Sequence, residues 1–179
     1  MKKLRVSQFL LVLLVAFLPI IFYGCPTPLV TDTDSKWLVL VYLDGDNNLE
    51  QPAIDDFNEI ENALYNLGDA DINILALFDR TSIYDTSNDN WAETRLYQVM
   101  PDNDSDTINS ILLKNYGELN MGNPVTLSNF ISYAKNNYTY ENLMLIFWNH
   151  GGGARSKDVT ATASGSLTKA VCWDDTDGD

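Results

Sequence analysis

Three apolar runs organise the chain: Trp37 to Leu43 (Trp-Leu-Val-Leu-Val-Tyr-Leu), Ile72 to Phe78 (Ile-Asn-Ile-Leu-Ala-Leu-Phe) and Leu143 to Trp148 (Leu-Met-Leu-Ile-Phe-Trp). Each is short, contains β-branched or aromatic side chains, and stops at polar turn residues such as Asp44-Gly45-Asp46-Asn47-Asn48. Runs of this length with little polar alternation read as strands buried on both faces.

Two stretches carry the helical period instead. From Pro52 to Leu67, the positions Ile54, Phe57, Ile60 or Glu61, Leu64 and Leu67 recur on one face, while Asp55, Asp56, Glu59 and Glu61 fall mostly on the other. Pro52 suits a first helical turn, and Gly68 stands where a helix stops. Thr126 to Tyr138 repeats the pattern with Leu127, Phe130, Ile131, Ala134 and Tyr138, and Thr126 can serve as its cap. Thr94 to Met100 alternates as an outer strand does. Ile108 to Lys114 fits a short helix or an extended segment. Leu167 to Trp173 reads as one further short strand, and Asp174 to Asp179 as a turn-like acidic loop. Strand, helix, strand within about 40 residues is a βαβ unit, which makes the first two strands parallel. The fold class is therefore α/β, a mostly parallel sheet with helices on its faces. Sites in such sheets lie just beyond the carboxyl ends of the strands. Asp44, Asp79 and His150 each stand at or within two residues of such an end.

The segment before residue 36 has a different character. Lys2, Lys3 and Arg5 precede an apolar run from Phe9 to Tyr23, interrupted by Pro19. That run is shorter than the roughly 20 residues a spanning helix needs. Residues 1–24 therefore read as a secretory signal rather than a transmembrane anchor. Gly24-Cys25 resembles the end of a bacterial lipobox, although Phe22 and Tyr23 stand where a leucine and a small residue are usual. Lipidation at Cys25 with membrane anchoring, or ordinary secretion, are the two outcomes, and both export the chain. An acyl chain would hold it at a surface with about 0.8 kcal/mol per buried CH₂. Residues 25–35 form a polar tether, and residues 36–179 form the domain.

Charge and cysteine content narrow the function classes. Residues 1–24 hold three cations and no acid, so the remainder carries 8 basic and 25 acidic side chains, a formal charge of −17. Such a surface does not hold nucleic acid, whose phosphates need Lys and Arg. It favours solubility outside the cell and could attract cationic substrates or calcium. The only cysteines are Cys25 and Cys172, so a lipidated Cys25 leaves Cys172 without a disulfide partner. One histidine and one thiol do not make a zinc site. Asp44 to Asn48 spaces oxygen ligands as a hard-cation loop does. Yet Leu49 holds the place of the EF-hand glycine and Asp55 that of the closing glutamate. A turn with side-chain-to-backbone hydrogen bonds is the better reading, and no metal ligand is assigned.

His150, the only histidine, follows a strand and precedes Gly151-Gly152-Gly153. A glycine-rich turn brings backbone N–H groups close to a ligand or a developing oxyanion, and an imidazole beside it suits general acid–base chemistry. A structural histidine before a tight turn fits the same pattern.

These blocks resemble those of the clostripain family of cysteine peptidases. Lys36 to Leu49 is similar to the family's opening block, and Asp55-Asp56-Phe57-Asn58-Glu59-Ile60 continues it. Leu143 to Gly153, with Phe-Trp-Asn-His-Gly-Gly-Gly, is similar to its histidine block. Their order and spacing cover most of residues 36–179. The resemblance implies a caspase-like α/β/α sandwich with a cysteine–histidine dyad that cleaves after basic residues, Arg above all. It implies that His150 is the dyad histidine and that the Gly151 N–H is an oxyanion donor. Calcium enters the same way, because some family members depend on it.

The family's nucleophile lies after a further helix and strand, in an Asp-Ala-Cys-Leu-Met-like block that nothing here matches. Cys172 is 22 residues beyond His150, but its Cys-Trp-Asp-Asp-Thr context resembles the segment before that helix. It reads as a small, partly buried core residue. The expectation is an amino-terminal part of the peptidase, incomplete at its carboxyl side and inactive alone. Its partners would be the missing carboxyl-terminal part and a peptide substrate bearing Arg or Lys. Arg155 and Lys157 lie in the interval where family members can be processed. The alternative is a non-catalytic surface lipoprotein that keeps the domain for binding. A hydroxyl nucleophile at Ser156 or Ser164 lacks the elbow pattern.

Overall fold

The computed structural model describes residues 33–150, Cys172 and residues 174–177. The expectations for the leader and Cys25, for Gly151, Arg155, Ser156, Lys157 and Ser164, and for a strand over residues 167–173 fall outside the described residues, Cys172 excepted. Five strands form one sheet: β1 (Asp34–Gly45), β2 (Ile72–Arg80), β3 (Thr94–Gln98), β4 (Ile111–Gly117) and β5 (Thr139–Trp148), in the order β4-β3-β2-β1-β5. β1 pairs in parallel with both β2 and β5, whereas β3 runs antiparallel to β2 and β4. Helix α1 (Glu50–Leu67) makes the crossover from β1 to β2, and α2 (Pro124–Asn137) precedes β5.

Alternation along the central strands divides the core into two layers, because successive side chains of a strand point to opposite faces. Val39, Val41, Leu43, Ile74, Ala76 and Phe78 pack with Ala53, Ile54, Phe57 and Leu64 of α1. Leu38, Leu40, Tyr42, Leu75 and Leu77 pack with Phe130 and Ala134 of α2. The result is the α/β/α sandwich expected from sequence. Phe57 stacks on Phe78 with ring centroids 5.6 Å apart, and Tyr97 meets Phe57 edge-on. Each fully buried aromatic or aliphatic side chain of this kind contributes about 1.5–3 kcal/mol.

Several expectations change in detail. β3 is not an outer strand: Leu96 and Tyr97 are buried because β4, which forms over the ambiguous segment, takes the outer place. The second helix starts two residues before Thr126. Its cap is Asn123, whose side-chain oxygen accepts from the Val125 N–H at 2.9 Å, while Thr126 Oγ1 donates to the Asn120 carbonyl. Glu61, which the helical period left open to either face, is buried and accepts from the Asn109 N–H and the Ser110 hydroxyl. β5 is not buried on both faces. It lies at the side of the sheet, and Leu143, Met144, Ile146 and Phe147 are 39–45% exposed. Its apolar sequence suits an interior strand, but among the described residues nothing lies beyond it. No helix among the described residues is long and apolar enough to cross a membrane.

One buried ion pair fastens the start of α1 to the end of β2. Arg80 Nε lies 2.9 Å from Glu50 Oε1, and neither side chain reaches solvent. The guanidinium sits 4.7 Å from the centroid of Trp91. Glu50 Oε2 accepts from the N–H groups of Tyr84 and Asp85. Burial pushes the Glu50 carboxyl above its ordinary range, opposed by the Asp85 N–H and the charge of Arg80.

Candidate active site

The parallel strands β1, β2 and β5 end together. Across the sheet Leu43 is level with Phe78 and Trp148, Asp44 with Asp79, and Gly45 with Arg80. Their carboxyl ends therefore gather Asp44, Asp79 and the residues after Trp148 at one rim, as the sequence predicts. Gly45 permits this closeness. A Cβ there would stand 3.0 Å from both the Ala53 side chain and the Asp79 carbonyl oxygen, so any larger residue would push α1 and β2 apart. The turn that follows is built as expected, with Asp44 Oδ1 accepting from the Asp46 N–H and Asn47 Oδ1 from the Leu49 N–H.

His150 is exposed at this rim, two residues beyond β5. Its Nε2 lies 2.8 Å from Asn48 Oδ1. An amide oxygen can only accept, so Nε2 is the donor in this contact, and in the neutral imidazole Nδ1 is then the acceptor nitrogen. The backbone N–H of His150 donates to the Asn149 side-chain oxygen, and Asn149 Nδ2 donates to Asp44 Oδ2. Asp44, at the end of the central strand, thus anchors the residue before the histidine. Burial raises the Asp44 carboxyl to about 7, with the Asn149 hydrogen bond opposing and the Asp174 charge adding to the rise. The sequence pointed to His150 and Asp44 separately. Asn48 and Asn149 were missed as its supports, although each lies within the turn or block already marked.

Beside this group four carboxylates converge from four segments. Asp46 follows β1, Asp79 is the penultimate residue of β2, Glu118 follows β4, and Asp174 lies in the acidic loop. One oxygen from each falls within 4.8 Å of the others. Asp46, Asp79 and Asp174 are fully buried. Burial and the charge of Glu118 push the Asp79 carboxyl up to about 9. Burial and the charges of Asp46 and Asp174 push Glu118 to about 7. Of these residues only Asp79 was marked by its strand position. Glu118 carried no local signal, and the acidic loop read as a turn.

Cys172 is buried in the layer that holds Tyr42, Met121 and Phe130. Burial, with the nearby charges of Asp44 and Asp174, pushes its thiol up to about 12. A thiol in that state is almost wholly protonated at neutral pH and a poor nucleophile. Alkylation of Cys172 by iodoacetamide at pH 7.5, followed by peptide mass spectrometry, is expected to be at least about a hundredfold slower in the folded chain than in denaturant. Equal rates would show the thiol to be reactive and accessible.

The family model described as "Clostripain family" matches residues 41–179. Clostripain of Hathewaya histolytica is 34% identical over 155 residues, which are 82% of this chain and 28% of that protein. The chain thus spans little more than a quarter of that relative's length. Among solved structures, a B. fragilis cysteine protease aligns with a TM-score of 0.54 at 24% identity, over 70% of this chain and 98% of that one. A secreted C11 cysteine protease from Bacteroides thetaiotaomicron, in complex with an irreversible peptide inhibitor, aligns with a TM-score of 0.51 at 24% identity, over 66% of this chain and 30% of that one. A clostripain from the same species, also bound to a peptide inhibitor, aligns with a TM-score of 0.51 at 15% identity, over 72% and 99% respectively. At these identities the structural likeness is one of fold.

Proposed function

The chain belongs to the clostripain family, and on that premise we propose that it carries the histidine-bearing part of an exported cysteine endopeptidase cleaving after basic residues, Arg preferred. The observation that carries this reading is the exposed imidazole at the mouth of the parallel strands, held through Nε2 by Asn48 with Nδ1 left as a base. A base so placed accepts the thiol proton as the thiolate attacks the peptide carbonyl, then donates it to the leaving amine. The Gly151 N–H is the oxyanion donor in this scheme, by family resemblance.

The nucleophile is a thiol other than the buried Cys172, supplied by further peptidase sequence, so the present polypeptide is inactive by itself. Two solved relatives support a division of this kind, since this chain covers 98% and 99% of their lengths and a polypeptide of such extent occurs there as a chain of its own. The apolar flank of β5 gives the rest of the enzyme a place to pack. Peptide inhibitors bound to two relatives support a peptide substrate, and the acidic surface supports a cationic one. Export through residues 1–24, with lipid at Cys25 or by ordinary secretion, completes the reading, and one solved relative is described as secreted.

The test is cleavage of matched peptides bearing Arg, Lys or Asp before the scissile bond, by this chain alone and by the complete enzyme. The complete enzyme is expected to cut after Arg, then Lys, and the chain alone to cut nothing. Cleavage after Asp, or no cleavage by the complete enzyme, would favour a non-catalytic binding module or another specificity.

A further inference from the structure

We propose that one side of α1, where Asp55, Asn58, Glu59 and Asn62 meet the turn at Ser105, is a binding cleft for the guanidinium of an arginine side chain carried by a polypeptide. The cleft is separate from the rim that holds His150, and the proposal does not depend on the peptidase reading.

The helical period makes the cleft. Residues three and four apart on a helix are neighbours on one face, so Asp55, Asn58, Glu59 and Asn62 project together. With Ala63 and Ser105 they line a cleft of about 540 Å³, within the size range of small-ligand sites. Asp55, Asn58 and Glu59 belong to the acidic block that the sequence singles out and that the peptidase chemistry leaves unused.

Two independent observations point to a ligand, and together they set its kind. First, Asn58 is only 3% exposed, and its Oδ1 is buried with no hydrogen-bond partner among the described residues. The other end of the amide fixes which atom is left over, since Nδ2 donates to the Ser105 carbonyl at 3.0 Å. The orphan is therefore an acceptor, costly to bury until a donor meets it. Ser105 stands in a turn exposed from Asn103 to Thr107, so a slight outward shift of that turn brings a donor to Oδ1. Second, Asp55 and Glu59 are exposed one helical turn apart, a spacing at which like charges repel. Asp55 Oδ1 accepts from the neutral Gln51 amide at 2.8 Å. The ion pairs among the described residues engage Glu50, Asp85 and Glu93, so no cation there matches either carboxylate. An amide oxygen beside two carboxylates calls for a cation that only donates. A guanidinium carries five N–H donors in one plane and no acceptor, so it meets several such oxygens at once. A bare metal ion would leave a cleft of this size largely empty.

The experiment titrates the isotope-labelled full chain with N-acetyl-arginine methylamide and follows it by NMR. The Asn58 side-chain amide and the Ser105 backbone N–H signals are expected to move together and to saturate, with a Kd of about 1 mM. Binding should weaken as salt is raised, because the two carboxylates are exposed. The matched citrulline compound keeps the shape and loses the charge, and should bind at least about tenfold more weakly. Asp55→Asn combined with Glu59→Gln should weaken arginine binding by about tenfold or more, with the thermal midpoint unchanged because both side chains face solvent. Asn58→Leu should do the same to binding. It also gives up the Ser105 contact, and the exposed double variant keeps the test decisive if Asn58→Leu does not fold. Glu118→Gln, at the rim, should leave binding unchanged. The proposal is overturned if the signals do not move saturably, if citrulline binds as well as arginine, if the double variant binds at full strength, or if Glu118→Gln abolishes binding, which would place the arginine at the rim instead.

Discussion

Replacing His150 with alanine in the complete enzyme is expected to lower kcat for cleavage after Arg by at least about 10³-fold, with little change in KM. The reasoning is geometric. The imidazole is exposed at the rim of the sheet, with Nε2 engaged by Asn48. No other histidine exists in the chain to substitute for it. A cysteine peptidase that loses its proton acceptor loses both thiolate formation and protonation of the leaving amine, so the loss falls on the chemical step rather than on substrate affinity. Because the ring is exposed, the variant should unfold at the same temperature as the parent, which separates lost chemistry from lost structure. Retained Arg-specific turnover in the variant would remove His150 from the mechanism and with it the placement on which the peptidase reading rests.

Arg80→Met should destabilise the fold by about 3–5 kcal/mol, read as a shift of the urea midpoint at constant slope. The pair it breaks is wholly buried, and the arginine also lies against Trp91. Removing the cation strands the Glu50 carboxylate in a medium where its charge is costly. Its remaining donors, the N–H groups of Tyr84 and Asp85, offset only part of that cost. Adding Glu50→Gln should therefore recover much of the loss, since the pair is then replaced by neutral groups of similar size. A loss below about 1 kcal/mol in the single variant, the range of solvated surface pairs, would mean that water reaches the pair.

How much of this was legible in sequence depended on how local the cause was. β1 and β2 were readable because both their faces are covered by the helices that the sequence also announces, so uninterrupted apolar runs match their surroundings. β5 has the same kind of sequence and a different environment, since no residue of its own says whether another strand will lie beside it. β3 and β4 exchange the outer position through pairing between residues such as Tyr97 and Leu112, a relation no single window contains. At the rim, His150 and Asp44 could be marked because strand ends are themselves local. Glu118 and Asp174 could not, because what brings them to Asp46 and Asp79 is the closure of the sheet. The cap of α2 moved from Thr126 to Asn123 because Pro124 starts the helix earlier than the apolar period does.

The open flank of β5 bears on what stability means for this polypeptide. Leu143, Met144, Ile146 and Phe147 remain in water, and Trp37 on the neighbouring strand is 38% exposed. Whatever covers them adds its association free energy to that of folding by mass action. The unfolding free energy is then no constant of these residues: it rises with the occupancy of that flank, and the cooperative unit extends into the molecule that fills it.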